Sequence, residues 1–237
     1  MVSCSTQPTQ AGGNNQSVDS DFEAKVLQVI RNNPQVLIES VQAYQQKQAQ
    51  EQQQQQQAFV QQMKTNPKSV IGDSPTTGAK EAKIVLLEFS DFQCPYCASA
   101  HETLKKFMAA HQNQVTLVYK HLPLTQIHPE AMPAAKAAWA AQQQGKFWEF
   151  QDALFVNQQK LSEALYVETA KKLNLDLKKF NQDRNSEAAT QAIQKDVEMA
   201  EKIGVTGTPF LIMNGEVITD GAQLESLEAT LKKVSQS

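Results

Sequence analysis

The chain has 237 residues, 41% of them hydrophobic, ample for a core of its own, since self-sufficiency becomes difficult only below about 40–60 residues. A formal net charge of −3 argues against a protein that grips nucleic acid through a basic face. Three cysteines close at most one pair and exclude a disulfide scaffold. The longest aliphatic run, Ile84-Val85-Leu86-Leu87, is far short of the roughly 18 residues of a spanning helix.

The first twenty residues are polar and cannot bury enough surface to offset their ordering entropy, so they read as a disordered tether. Asp19 and Ser20 are N-cap residues for a short helix with Phe22, Val26, Val29 and Ile30 on one face. Asn33-Pro34 marks a new cap with proline at the first helical position. The helical pattern then runs to about Thr65, roughly 45 Å of helix. Its apolar ends, Leu37, Val41 and Tyr44 and then Phe59, Val60 and Met63, flank six glutamines, Gln52 to Gln57. The heptad lapses in the middle, so an oligomerisation arm competes with local packing of the two ends.

Beyond Pro67, Ser69-Val70-Ile71-Gly72 reads as a short strand followed by a loop to Gly78. Lys83 to Phe89 reads as a central strand. A helix from about Cys97 to Ala110 and a strand over Gln114 to Lys120 complete a strand–helix–strand unit, for which a parallel pair with right-handed crossover is the default. Residues 129–202 read as entirely helical. Strand character returns at Pro209 to Met213. Asn214-Gly215 is a hairpin signal, Glu216 to Thr219 the return strand, and Leu224 to Val234 a last helix.

The chemistry sits in Cys94-Pro95-Tyr96-Cys97, between the apolar strand and the helix that follows. The first turn of a helix has unpaired N–H groups and the positive end of the macrodipole. A thiolate there is stabilised, so its pKa falls below the ~8.5 of a free cysteine. Thiol–disulfide exchange needs such a thiolate as nucleophile or leaving group. Cys94 reads as the exposed nucleophile, Cys97 as the buried resolving thiol, and Pro95 suits a helix start because no N–H is needed there. Two other readings of the pair are half a zinc site and two structural cysteines. Zinc needs two further ligands. Cys4 lies in the tail, and His101, His111, His121 and His128 show no ligand spacing, so no metal is expected.

Glu88 to Cys97 resembles the active-site segment of DsbA-like thiol–disulfide oxidoreductases. Three further segments match in order: Tyr119 to Leu124, His128 to Trp148, and Gly204-Val205-Thr206-Gly207-Thr208-Pro209. The resemblance covers about residues 69–234. It implies an α/β thioredoxin fold with an inserted helical domain and an N-terminal helical extension. The implied division is 1–18 tether, 19–66 extension, 67–128 and 203–237 thioredoxin-like domain, and 129–202 inserted domain. It further implies that Pro209 is cis and faces the cysteines, with Thr208 offering backbone hydrogen bonds to an extended substrate. Glu88 reads either as a strand-edge residue or, as in the family, as a buried acid with raised pKa that serves Cys97 as base, with Lys120 as its charge partner. Tyr96 stands where the best-known oxidising member has a histidine, which predicts a less depressed Cys94 pKa and a weaker oxidant. Glutaredoxins share Cys-Pro-Tyr-Cys, but the helical block and N-terminal region set the chain apart from them.

Val2-Ser3-Cys4 resembles the end of a bacterial lipoprotein signal, which makes Cys4 a lipidation candidate and the following tail a tether. A redox pair on such a body points to an oxidising extracytoplasmic compartment such as the periplasm. The leading expectation is a thiol oxidase acting on substrate proteins with free or mispaired thiols. No cofactor is needed beyond the Cys94–Cys97 disulfide itself, and the resemblance implies reoxidation by a membrane partner of the DsbB or VKOR type. The alternatives are an isomerase or reductase working as a homo-oligomer through the N-terminal helices, and a holdase with a dead redox site.

Overall fold

The computed structural model describes residues 20–236 except Ala82; Cys4 and Asp19 lie outside the described residues. Residues up to Gln50 form one unit and those from Glu51 another. The first holds α1 (Ser20–Asn32) and the start of α2 (Pro34–Thr65). The α1/α2 break falls at Asn33, whose side-chain amide donates to the Val29 carbonyl at 2.8 Å, with Pro34 opening the next helix as its fixed φ favours. The apolar residues of this unit, including Phe22, Val29, Leu37, Ile38, Val41 and Tyr44, are exposed.

In the second unit, α2 ends in apolar packing. Phe59 and Met63 are buried with Val70, Val85, Leu87, Phe89 and Ile212. The glutamine tract has a packing role too. Gln56 donates its amide to the Ile203 carbonyl at 2.8 Å. Gly204 has φ +76° and lies so close to Gln52 that a Cβ would come within 2.5 Å of its amide nitrogen. The segment read as a strand at Ser69 to Gly72 is instead a short helix, α3 (Pro67–Ile71). Its two β-branched residues follow an Asn-Pro helix start, and the start decides so short a run. The loop expected after it contains strand β1 (Thr76–Gly78).

The remaining elements are β2 (Ile84–Ser90), α4 (Pro95–His111), β3 (Val115–His121), α5 (Ala131–Gln142), α6 (Phe147–Val156), a 3₁₀ turn (Gln158–Lys160), α7 (Glu163–Lys172), α8 (Leu177–Arg184), α9 (Glu187–Lys202), β4 (Phe210–Met213), β5 (Glu216–Ile218) and α10 (Leu224–Val234). The sheet order is β1-β3-β2-β4-β5. Among the described residues only β2 and β3 pair in parallel, joined by α4, and the other pairs are antiparallel. Asn214 and Gly215 have φ of 46° and 92°, as the two-residue turn between β4 and β5 requires. This is a thioredoxin fold with helices α5 to α9 inserted after β3. Among the described residues no helix is long and apolar enough to cross a membrane.

Strand alternation gives the sheet two different faces. Val85, Leu87, Phe89 and Val118 pack with α2, α3 and α9. Leu86 and Leu117 pack against α4. Beyond these two leucines, on the same face as α4, stand Glu88, Ser90, Tyr119 and His121. The α2 seam is testable. Met63 is 2% exposed, and Met63→Ala should lower the stability of the second unit by about 2–5 kcal/mol through the cavity left behind. Urea unfolding followed by tryptophan fluorescence measures it.

Candidate active site

Helix α4 begins at Pro95, with Cys94 as its cap residue in extended conformation (φ −72°, ψ 121°). The Cys97 and Ala98 N–H groups donate to the Cys94 carbonyl at 3.0 and 3.2 Å, which closes the first turn. Both cysteines are free thiols. Cys97 is carried inward and is fully buried, and Cys94, expected to be exposed, is itself only 4% exposed because the chain around Thr208 packs against its sulfur, whereas Tyr96 points outward and is 75% exposed. The Thr208–Pro209 peptide is cis, and the Cys94 thiol donates to the Thr208 carbonyl at 3.4 Å. The α4 start and the Pro209 loop, over a hundred residues apart in sequence, thus meet at one sulfur.

The two sulfurs have opposite electrostatics. The Cys97 thiol, then the Thr208 side chain and the backbone N–H groups of Cys97 and Tyr96, lower the Cys94 pKa to about 5 against the opposing effect of burial. The Cys97 thiol is the largest of these causes, so the depression arises without a histidine between the cysteines. Burial, and then its own hydrogen bond to Cys94, push the Cys97 thiol far up. The Asp91 N–H lies 3.5 Å from Cys97 Sγ.

Glu88 is 1% exposed, an interior position and not a strand edge. Burial raises its pKa to about 7. Lys120 is not its partner. In the parallel register Glu88 stands beside Tyr119 and Lys120 beside Phe89, so alternation sends the Lys120 side chain to the other face. There it pairs with Asp196 at 3.1 Å and donates to the Ile71 carbonyl at 3.2 Å.

Two supporting residues escaped the sequence reading as site residues. Asp91 is buried. Its Oδ1 accepts the Gln93 N–H at 2.8 Å. Its Oδ2 accepts the Leu124 N–H at 3.0 Å and lies 2.7 Å from His128 Nδ1. The Asp-Phe-Gln spacing carries an Asx-turn signal that pointed to the first of these bonds. Gln158, in the 3₁₀ turn, donates one amide nitrogen to the carbonyls of Phe92 and Cys94 at 2.8 and 2.9 Å. No local pattern announces a contact 64 residues away. Among the described residues no cluster of three or more His, Cys, Asp or Glu is placed to hold a metal.

Two measurements check these electrostatics. Thiolate absorbance near 240 nm in the reduced protein should titrate with a midpoint of about 5 for Cys94, and Cys97→Ala should move it upward, because the largest stabilising donor is gone. For Glu88 the folded pKa lies above the ordinary carboxyl value of about 4.5, so the folded state holds the extra proton. Stability is therefore fully present below pH 4.5, declines as pH rises to about 7, and is flat beyond. The shift corresponds to about 3 kcal/mol at ~1.36 kcal/mol per unit. Urea titrations across pH should show this slope in the wild-type protein and not in Glu88→Gln.

Comparison with known proteins agrees with the architecture. A profile of the thioredoxin family matches residues 70–233, and one of the copper resistance protein ScsC N-terminal domain matches residues 20–51. The Na(+)/H(+) antiporter NhaA 3 of Salinispora tropica is 36% identical over 154 residues, 65% of this chain and 24% of the antiporter. The chain therefore spans about a quarter of the length of the curated relatives it matches. Among solved structures, Proteus mirabilis ScsC in a transitional conformation superposes with a TM-score of 0.65 at 24% identity, covering 92% of this chain and 97% of that one. A thioredoxin-like oxidoreductase from Silicibacter pomeroyi DSS-3 gives 0.64 at 27%, covering 73% and 99%. With a family profile over most of its length and the sheet order described above, the chain belongs to the thioredoxin family.

Proposed function

We propose that the protein is an extracytoplasmic thiol oxidase that introduces disulfides into substrate proteins, with Cys94–Cys97 as its redox group and no further cofactor. The observation that carries this reading is the asymmetry of the two sulfurs. Cys94 has a pKa lowered to about 5, while Cys97 is buried and strongly raised. A stabilised Cys94 thiolate stabilises the reduced form, and a disulfide whose reduced form is stable is a strong oxidant.

In the proposed cycle a substrate thiolate attacks Cys94 Sγ of the oxidised enzyme. The Sγ–Sγ bond breaks, a mixed disulfide forms at Cys94, and Cys97 leaves as a thiolate that takes a proton from Glu88. A second substrate thiolate then attacks the substrate sulfur of the mixed disulfide and releases the Cys94 thiolate. The substrate has lost two electrons and the enzyme has gained them. The Thr208 backbone beside Cys94 is placed to pair with an extended substrate. Reoxidation falls to a membrane partner of the DsbB or VKOR type, as in DsbA-like relatives. Cys4 is proposed as a lipid anchor that holds the enzyme at the outer side of a membrane.

One observation favours a second reading. The apolar residues of α1 and early α2 are exposed, in the segment that matches the ScsC N-terminal domain. An arm that assembles copies of the chain would gather several active sites and favour disulfide isomerisation.

The reduction potential of the pair, measured against a glutathione buffer, decides between the readings. A value toward ~−120 mV is expected for the oxidase, and one near ~−270 mV would transfer the assignment to a reductase or isomerase. Cys94→Ser should abolish exchange with a reduced dithiol peptide, and retained activity would sink the assignment altogether. A monomer by light scattering would count against the assembled isomerase.

A further inference from the structure

Buried polar groups in folded proteins are almost always hydrogen-bonded, to protein or to internal water. The buried side-chain atoms without a protein partner, among the described residues, belong to Glu88, Ser90, Tyr119, His121 and Thr208. They are not scattered. Glu88 and Ser90 are alternate residues of β2, and their register partners on β3 are Tyr119 and His121. These four therefore form one block on the face of the sheet that α4 covers. Cys97 and Tyr119 lie in one buried cluster, and Thr208 closes the site from the other side of the cysteines.

Within this block Ser90 is central. Its hydroxyl is near enough to lower the pKa of Glu88, of Cys97 and of Tyr119, yet it meets hydrogen-bond geometry with none of them. Tyr119 feels the charges of both Glu88 and Cys97. Its ring is fixed by stacking on Phe92 at 5.5 Å between centroids. A buried cluster of polar groups like this offers the two to four partners that an internal water needs. On its other side Glu88 borders a cavity of about 80 Å³ whose wall also carries Lys105, a side chain 51% exposed. The carboxyl therefore stands between the cysteines and a space that extends toward the surface.

We infer that the Ser90 and Tyr119 hydroxyls, with internal water, form the proton path between Glu88 and Cys97. The inference rests on thiol–disulfide exchange at Cys94–Cys97. When the Sγ–Sγ bond breaks and Cys97 leaves as a thiolate, it takes a proton from the Ser90 end of the path. Ser90 regains a proton through the shared water, which passes on the one given up by Glu88 while the Tyr119 hydroxyl holds that water by a hydrogen bond and keeps its own proton. Glu88, left as a carboxylate, regains its proton from solvent on the cavity side. One proton enters per exchange, and each hydroxyl ends as it began. Reversal of the same steps lets Cys97 attack a mixed disulfide as a thiolate.

The test is single-turnover exchange between the oxidised full chain and a reduced dithiol peptide, followed by stopped flow from pH 5 to 9. The wild-type rate should carry a limb near pH 7 from Glu88. The double variant Ser90→Ala/Tyr119→Phe should be roughly 10-fold slower or more, below the roughly 100-fold or more expected for loss of the acid–base group itself. Its limb near pH 7 should flatten while the Cys94 thiolate still titrates at about 5, a readout that a merely loosened core would not preserve. Tyr119→Phe alone keeps the ring stack and should show part of the loss. Adding Glu88→Gln to the double variant should cost little more, since groups on one path are not additive. A double variant with the wild-type rate and pH limb overturns the path, as do losses that simply add to that of Glu88→Gln. If Cys94→Ser exchanges as fast as the wild-type protein, it is the redox reading that has failed. A failure of the path alone leaves Cys94→Ser inactive and the double variant fast.

Discussion

The active site depends on one placement, the start of α4 between two cysteines. With Cys94 outside the helix and Cys97 in its first turn, the sulfurs inherit opposite surroundings. Cys94 faces the Cys97 thiol, the Thr208 side chain and the backbone N–H groups of the first turn, which hold its pKa at about 5. Cys97 is turned into the core, where a thiolate is poorly solvated. Neither effect needs a charged side chain. Tyr96 is largely exposed and adds no charge, so the second thiol, the Thr208 side chain, the backbone and the burial of Cys97 account for the asymmetry. A helix start is held by its whole hydrogen-bonded turn, which makes this a preorganised source of positive potential.

That turn is braced from outside the thioredoxin-like core. Asp91 ties the approach to α4 to the β3–α5 connection through Leu124 and His128. Gln158 reaches back from the inserted helices to the carbonyls of Phe92 and Cys94. Gln93 accepts the Glu130 N–H at 2.7 Å, and Tyr166 donates to the Glu130 carboxylate at the same distance. The segment before the reactive sulfur is therefore held by the β3–α5 connection, by Glu130 at the start of α5, itself fixed by Tyr166, and by the 3₁₀ turn. The inserted helices act as a brace for the catalytic turn as well as a cover for the sheet.

Much of this was legible in the sequence, and the reasons differ by element. The breaks at Asn33-Pro34 and Asn214-Gly215 depend on residues whose own backbone preferences decide the geometry. The helix running to Thr65 and the Cys-Pro-Tyr-Cys start are of the same kind. Where neighbours decide, local reading failed. Val70-Ile71 looked like a strand, but five residues behind an Asn-Pro start close as a helix, and Val70 is buried there as well as a strand would bury it. Strand β1 is only three residues long and exists because β3 offers it an edge. Lys120, a lysine at the end of the neighbouring apolar strand, reads as a charge partner for the buried Glu88. The β2/β3 register, which sends the two side chains to opposite faces, is a tertiary fact. Gln158 was invisible for the same reason.

The two halves of the central strand pair obey different rules. Leu86 and Leu117 pack against α4 as a core should. Two residues further along each strand the same face carries Glu88 and Tyr119, then Ser90 and His121. An apolar residue at position 88 would pack without the desolvation that lifts this carboxyl to about 7. The polar residues occur only at the carboxyl ends of β2 and β3, where parallel strands of open α/β sheets place their sites. Stability lost to a buried acid at neutral pH is thus confined to the few ångströms where a buried thiol must gain and lose a proton. The same strands supply the core at one end and the chemistry at the other.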